Sequence, residues 1–384
     1  MLQILARLAL AALLGLAALS LAACSQEPVQ EAEIKVGLVI SLSGEQQQVG
    51  QQAVQAARLL AETINEAGGL KVAGRQHKLV LVIEDNQDQA QVAVAVAHKL
   101  INQKGVVAII GPNLSRNAVP VAMAAEKARI PMISPASTNP QTTAGKKYVF
   151  RACFIDSFQG LVMARFARED LGASRAAVLF DAANVYNQTL AHIFKDVFEK
   201  AGGRVVAFEA YTTGDQDFGG QLERIKKTRP EVLFLPNYFH EVPLQVDQAL
   251  HKGIKTLFLG SDSWDSMKAA DWLKLEGSFF SSLWAPDLTD EKTRLFIEAY
   301  EQAYGQAPAS VAAMTYDSLG LLIKAIETQG QVDPESIRAG LAGLDSFLGV
   351  SGSISFQGGN DPVKSVPIMK VSRGQARFFK VFGP

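Results

Sequence analysis

A chain of 384 residues in which 37 Lys and Arg face 38 Asp and Glu has no charge excess to draw it to a nucleic-acid backbone. Its 48% apolar content and its length exceed what one ordinary domain needs and suffice for two cores. Two cysteines, Cys24 and Cys153, cannot supply a disulfide framework, so the fold must rest on packing.

Residues 1–23 carry one charge, Arg7, followed by a Leu/Ala run from Leu8 to Leu21. The run is shorter than a comfortable membrane span and ends in small residues, which predicts a cleaved secretion signal. Its end, Leu21-Ala-Ala-Cys24, resembles a bacterial lipoprotein site, in which Cys24 would be diacylated and become the mature N-terminus. Residues 24–33, polar and interrupted by Pro28, suit a tether between lipid and globule. Taking Arg7 away from the 37 basic residues leaves 36 against 38 acidic ones, and only Cys153 remains beside the lipidated Cys24. No intrachain disulfide is then possible despite an oxidising compartment.

From Ile34 onward β-rich runs alternate with helical periodicity. Ile34 to Ile40 predicts a strand, and Gln51 to Ala67 a helix whose face is Val54, Ala57, Leu60, Ala61 and Ile64, stopped by Gly68-Gly69. A strand at Lys78 to Glu84, a helix at Ala90 to Gln103, a strand at Val106 to Ile110, a helix at Ser115 to Ala128 and a strand at Ile130 to Ile133 follow. This βαβαβαβ order implies a mostly parallel sheet covered on both faces. Two loops directly follow apolar runs, Gly111-Pro-Asn-Leu-Ser115 and Ser134-Pro-Ala-Ser-Thr138. Small hydroxyl residues and free N–H groups at the carboxyl ends of neighbouring strands can hold a small anionic group.

The pattern restarts after Arg151. Helices at Phe158 to Leu171, Tyr186 to Ala201, Phe218 to Lys227 and Val242 to Lys252 alternate with strands at Ala176 to Asp181, Arg204 to Glu209, Glu231 to Leu235 and Thr256 to Leu259. Helices at Asp290 to Tyr304, Ala309 to Thr328 and Pro334 to Ala342 come without strands between them and are expected to pack on the existing units. Short strands at Ser353 to Phe356, Pro367 to Val371 and Ala376 to Phe382 close the chain.

The order of these pieces resembles the type I periplasmic binding proteins of ABC transporters, specifically the branched-chain (Leu/Ile/Val) amino-acid receptors. It is carried by Ile34-Lys-Val-Gly with Ser43-Gly44, Ile64-Asn-Glu-Ala-Gly-Gly-Leu70, Asp88 to Val94, Gly111 to Ser115, Ile133 to Pro140, and Arg151 with Asp156-Ser-Phe-Gln-Gly160. The fold implied is α/β, two Rossmann-like lobes joined by three crossover segments in a Venus-flytrap. Lobe 1 would hold residues 34–151 and 288–347, and lobe 2 residues 156–281 and 357–384, with hinge crossovers at 152–155, 282–287 and 348–356.

A free amino acid brings an ammonium and a carboxylate, each costly to desolvate unless it meets hydrogen bonds or a counter-charge. The resemblance implies that Ser115, Ala136 through its backbone and Thr138 hold the ligand carboxylate, with Ser137 between them, and that Asp262 pairs with the ammonium. Tyr186 and Tyr238 match tyrosines that cover the ligand from the second lobe, and Asp156 matches a polar position near the first crossing. Taken alone, Ser115 and Asp156 read as well as helix caps, and Ser134 to Pro140 as a polar turn. Phe158 and Trp264 could line the same region. Val49 stands where close relatives carry an aromatic residue, and Gln87 and Leu114 stand where some members form a disulfide.

An enzyme is the first rival. The five histidines, His77, His98, His192, His240 and His251, lack metal-ligand spacing, and no P-loop, dinucleotide fingerprint, nucleophile elbow or Cys–His arrangement is present. No cofactor or metal is expected. The second rival is a ligand sensor or envelope regulator on the same fold, or a receptor for a non-amino-acid ligand such as an amide or short-chain acid. The expectation is a monomeric, lipid-anchored, extracytoplasmic receptor that hands an amino acid to an ABC permease and binds no nucleic acid.

Overall fold

The computed structural model describes residues 32–384 apart from Thr289. The expected signal peptide, Cys24 and most of the tether lie outside the described residues. The chain starts with β1 (Ala32–Ile40), two residues before the expected strand, and continues through α1 (Gln47–Glu66) into a hairpin of β2 (Leu70–Val72) and β3 (Arg75–Asp85). The hairpin was not legible because Arg75, Gln76 and His77 break apolar alternation while pairing antiparallel with β2. Next come α2 (Ala90–Lys99), extended by a π turn over Leu100–Lys104, then β4 (Ala108–Ile110), α3 (Ser115–Ala128), β5 (Met132–Ser134) and β6 (Val149–Arg151). The first sheet runs β2-β3-β1-β4-β5-β6, and β1, β4, β5 and β6 pair in parallel. All three residues of β4, β5 and β6 are buried, as suits strands covered on both faces.

The second half begins with α4 (Asp156–Arg165) and its π turn Phe166–Asp170, followed by β7 (Arg175–Asp181), α5 (Val185–Lys200), β8 (Arg204–Tyr211), α6 (Gly219–Thr228), β9 (Val232–Leu235), α7 (Val242–His251) and β10 (Leu257–Gly260). After a 3₁₀ turn at Asp262–Ser266 and the short α8 (Ala269–Trp272), β11 (Phe279–Ser281) adds a strand too short to show a period in sequence. Helices α9 (Glu291–Tyr304), α10 (Ser310–Gln329) and α11 (Pro334–Ala342) precede a hairpin of β12 (Phe347–Gly349) and β13 (Gly352–Ile354), and β14 (Val366–Ser372) pairs with β15 (Gln375–Phe382) at the end. The second sheet runs β15-β14-β11-β10-β9-β7-β8, parallel from β8 to β11 and antiparallel at β14 and β15.

Helix α10 lies along α1 and against α11, so the three strandless helices cover the first sheet and form no third domain. The expected architecture, two Rossmann-like units with three passages between them, is therefore present: after β6, after β11, and between the β12–β13 hairpin and β14. In the turn of the β12–β13 hairpin, ahead of the third passage, Asp317 of α10, fully buried, accepts from Val350 N at 2.7 Å, from Ser351 N at 2.9 Å and from the Ser351 hydroxyl. Lys364 Nζ donates to Ser351 O at 2.9 Å and Ser351 Oγ at 2.6 Å. Burial pushes Lys364 down to about 8, opposed by Asp317, so an acid and a base clamp the same serine.

Helix α1 is seated by a glycine. A Cβ at Gly50 would come within 1.8 Å of the Ser41 carbonyl oxygen, which is backbone and cannot swing aside. Gly50→Ala is therefore expected to destabilise the ligand-free protein by about 1–3 kcal/mol, measured by denaturant unfolding.

Candidate functional site

The two loops that close β4 and β5 are tied into one surface. Gly111 adopts φ +94°, and a Cβ there would meet Val39 O at 2.3 Å, so the turn after β4 requires glycine. Ser134 Oγ donates to Pro112 O at 2.7 Å and accepts from Ser137 N at 3.1 Å. Ser137 Oγ donates to Ser115 Oγ at 3.0 Å and shares a 2.7 Å bond with Thr142 Oγ1. Behind them the buried Arg151 guanidinium donates to Ser137 O at 2.6 Å, Asn139 O at 2.9 Å, Thr143 Oγ1 at 2.6 Å and Asp361 Oδ1 at 2.6 Å. One side chain from β6 thus fixes the second loop and links it to the third passage, ahead of β14.

Ser115 does not cap α3. Leu114 occupies the cap position without a side-chain bond, and Ser115 is the first helical residue. Its N–H belongs to the first turn, which has no intrahelical partner, and the helix dipole there favours an anion. Asp156 likewise opens α4 behind Ile155 and makes no cap.

The facing wall comes from the second sheet. Asp262, 7% exposed, follows β10, and its Oδ1 accepts from Tyr186 Oη at 2.7 Å and from Gln159 Nε2. Both bonds fall on one oxygen, so Oδ2 keeps its acceptor capacity. Asn184 caps α5 by accepting from Tyr186 N at 3.2 Å, which sets that tyrosine at the helix start. The Tyr186 and Tyr238 rings stack with centroids 5.2 Å apart. From the first unit, the Arg116 guanidinium lies 4.7 Å from the Tyr238 centroid while Arg116 Nε bonds Asp88 Oδ1 at 3.0 Å. His240 Nε2 lies 3.2 Å from Glu45 Oε2, a second contact between the units.

A pocket lies between these walls. Ser115, Ala136, Tyr186, Tyr238 and Asp262, all anticipated from sequence, line it. Ser137, Thr138 and Asp156 are wholly buried next to it: Ser137 spends its hydroxyl on Ser115 and Thr142, while Thr138 O accepts from Asp156 N at 2.8 Å. Phe158 packs, half-buried, against the main core, and Trp264 lies fully buried in the second sheet's core, under Gly260. Gln46 and Asp265 line the cavity and were not singled out in sequence; Gln46 sits in a run of glutamines without any pattern. Val49 also lines it.

Three acids crowd the cleft, all raised by burial first. Asp156 is pushed up to about 8, helped by the Asp262 charge and opposed by Thr138 and Arg151, and neither of its oxygens completes a hydrogen bond. Asp262 is pushed up to about 6, opposed by Tyr186 and Gln159. Asp265 is pushed up to about 7, opposed by Ser282 and Ser310. Among the described residues no group of His, Cys, Asp or Glu is placed to hold a metal ion.

Two α/β units enclosing a cleft, with donors on one wall and a spare carboxylate oxygen on the other, define a solute-binding protein. The periplasmic binding protein family model matches residues 33–376, and the chain belongs to that family, in its type I form. It is 30% identical over 343 residues to a leucine-, isoleucine-, valine-, threonine- and alanine-binding protein of Pseudomonas aeruginosa, covering 88% of this chain and 90% of that one. Among solved structures, the leucine binding protein LivK of Thermotoga maritima superposes with TM-score 0.84 at 31% identity, covering 91% of this chain and 99% of that one. The substrate-binding protein LivJ of Streptococcus pneumoniae, in complex with isoleucine, superposes with TM-score 0.83 at 29% identity, covering 92% and 100%. The chain is a binding protein and not an enzyme.

The acids give a pH signature. Each binds a proton more readily folded than unfolded, where carboxyls titrate near 3.8, so their contribution to stability is complete below that value and drains away as pH rises through about 6, 7 and 8. The melting temperature of the ligand-free protein should therefore fall between pH 5 and pH 8. Asp156→Asn should flatten that fall, read by scanning calorimetry across the range.

Proposed function

We propose that this protein is the extracytoplasmic receptor of an ABC transporter for amino acids, of branched-chain or otherwise hydrophobic type. It captures the free amino acid between its two units and presents it to a membrane permease. The observation that carries this reading is the separation of charge preference across one cavity. Ser115 and the first turn of α3 offer donors to a carboxylate. Opposite them, Asp262 offers an acidic oxygen to an ammonium. The names of the Pseudomonas aeruginosa relative and of the LivK and LivJ structures support a ligand of this class.

Thr138 and Asp156 act from behind the wall in this reading, Thr138 through its backbone and Asp156 as a neutral acid beside Asp262. Tyr186 and Tyr238 cover the ligand with flat, rigid surface. Arg116 stacks on Tyr238 only when the two units meet, so it favours the closed form with or without direct contact to ligand. The leader and Cys24 support anchoring by lipid to the outer face of a bacterial membrane.

Calorimetry with a panel of amino acids should find tight binding of one or more aliphatic members. Ser115→Ala and Asp262→Ala should each weaken it by about 1.5–3 kcal/mol, as for hydrogen bonds to charged groups. Absence of binding by any free amino acid, or both variants binding like the parent, would remove this ligand class. Arg116→Ala should raise the dissociation rate more than it lowers the association rate, followed by stopped-flow fluorescence. Cys24→Ser should move the protein from the detergent phase to the aqueous phase on phase partition.

A further inference from the structure

We infer that His240 and Glu45 form an acid-sensitive latch across the mouth of the cleft, so that protonation of His240 parts the units and releases the ligand. The inference rests on the amino-acid reading above for the ligand that the latch holds. Its two residues come from opposite units. His240 lies in the loop between β9 and α7, and Glu45 in the 3₁₀ turn Gly44–Gln46 ahead of α1. Their contact, His240 Nε2 to Glu45 Oε2 at 3.2 Å, exists only while the units meet. It also reaches the pocket wall. The His240 ring lies nearly parallel to that of Tyr238, centroids 6.1 Å apart, and extends the Tyr186–Tyr238 stack that lines the pocket.

An imidazolium has two N–H donors, and a neutral imidazole has one. With Nε2 on Glu45, the second proton would sit on Nδ1. That atom is buried and has no hydrogen-bond partner, so the closed form offers a protonated ring one acceptor too few.

The charges around the ring do not make up the difference. Glu45 attracts the proton, but its side chain is 72% exposed and its field is screened by water. Arg116 of α3 repels the proton, and Asp88, after β3, is engaged by Arg116 Nε at 3.0 Å. Glu241, next in the chain, interacts with Tyr211 and Asp181 of its own unit and with Arg116. Burial therefore dominates and holds His240 below its usual value of 6.5 in the closed form, against the pull of Glu45 and Asp88 and with the push of Arg116. Glu45, Arg116 and Asp88 all belong to the first unit, so opening withdraws them together and lets water reach Nδ1. The open form then binds a proton that the closed form rejects. Affinity is complete above the open-form value and drains away as pH falls below it, with up to one proton taken up per ligand released.

Calorimetry with leucine at about pH 7.5 and about pH 5.5 tests the latch, in the parent and in His240→Gln, which keeps a donor for Glu45 but takes up no proton. Asp262, pushed up to about 6, loses its charge over the same range in both proteins, so the ratio of their affinities isolates His240. That ratio, parent over variant, should fall by about threefold to tenfold on acidification, the upper limit being one proton at a pH one unit below an ordinary imidazole. In Glu45→Gln the affinity should fall at least as steeply as in the parent, because the Glu45 charge opposes the effect; this variant carries the test if the first folds poorly. A ratio that stays constant, or one that rises as a simple imidazolium–carboxylate attraction would make it, overturns the inference and leaves the amino-acid reading standing. Loss of the acid sensitivity in Glu45→Gln does the same. Leucine binding at neither pH would defeat the amino-acid reading, and the latch with it.

Discussion

An acid taken out of water with no cation beside it is the constraint around which the cleft is organised. Asp262 is almost wholly buried, and its oxygen Oδ1 is held by a tyrosine hydroxyl and a glutamine amide, neutral donors that lower its pKa without cancelling its charge. A hydrophobic residue would have been a cheaper filling for that space. The donors come from two different helices, α4 and α5, so the carboxyl is fixed in orientation before any ligand arrives. Such preorganisation lowers the cost of ordering the site on binding. Asp156 beside it is fully buried and lies higher still, which keeps a second negative charge from forming in the same place at neutral pH.

The opposite wall depends on a cation that never reaches the cavity. Arg151 is fully buried, and three of its nitrogens hold the carbonyls of Ser137 and Asn139, the Thr143 hydroxyl and Asp361. Its charge is paired by Asp361 at the surface side, while its hydrogen bonds set the loop that supports Ser115. The two walls are therefore built differently: one presents a charge held by neutral groups, the other presents neutral groups held by a charge. Arg116 repeats the pairing at the mouth, anchored to Asp88 in its own unit and laid over Tyr238 of the other. A guanidinium in that position keeps its salt bridge whether or not the units meet, so only the stacking contact is gained on closing.

Most of this architecture was legible because it is periodic. Helix α3 was placed correctly at Ser115 to Ala128 by an apolar face that starts soon after a β-rich run, and β7 to β10 were placed to within two residues at each end. The three-residue strands β2, β6, β11 and β12 cannot show a period of two and were missed, whereas β4 and β5, equally short, were legible because each lies within a longer apolar run. In the cleft, Ser115, Ala136 and Asp262 line the pocket, and the resemblance could single them out because each lies in a loop or first turn just past a strand end. Gln46 was not, because a glutamine among glutamines carries no signal until its amide is seen buried without a partner. The Arg116–Asp88 pair spans 28 residues and a strand, and nothing local announces it.

Asp265 connects the cavity to the hinge. Its carboxyl faces the cleft, yet its bonds run to Ser282 and Leu283, the first residues of the second passage. Ser351, in the hairpin turn ahead of the third passage, is held between Asp317 and Lys364 of that passage. These contacts tie down the backbone at single points near where the chain passes between units. A ligand shifts the balance between open and closed forms only through contacts that differ between them.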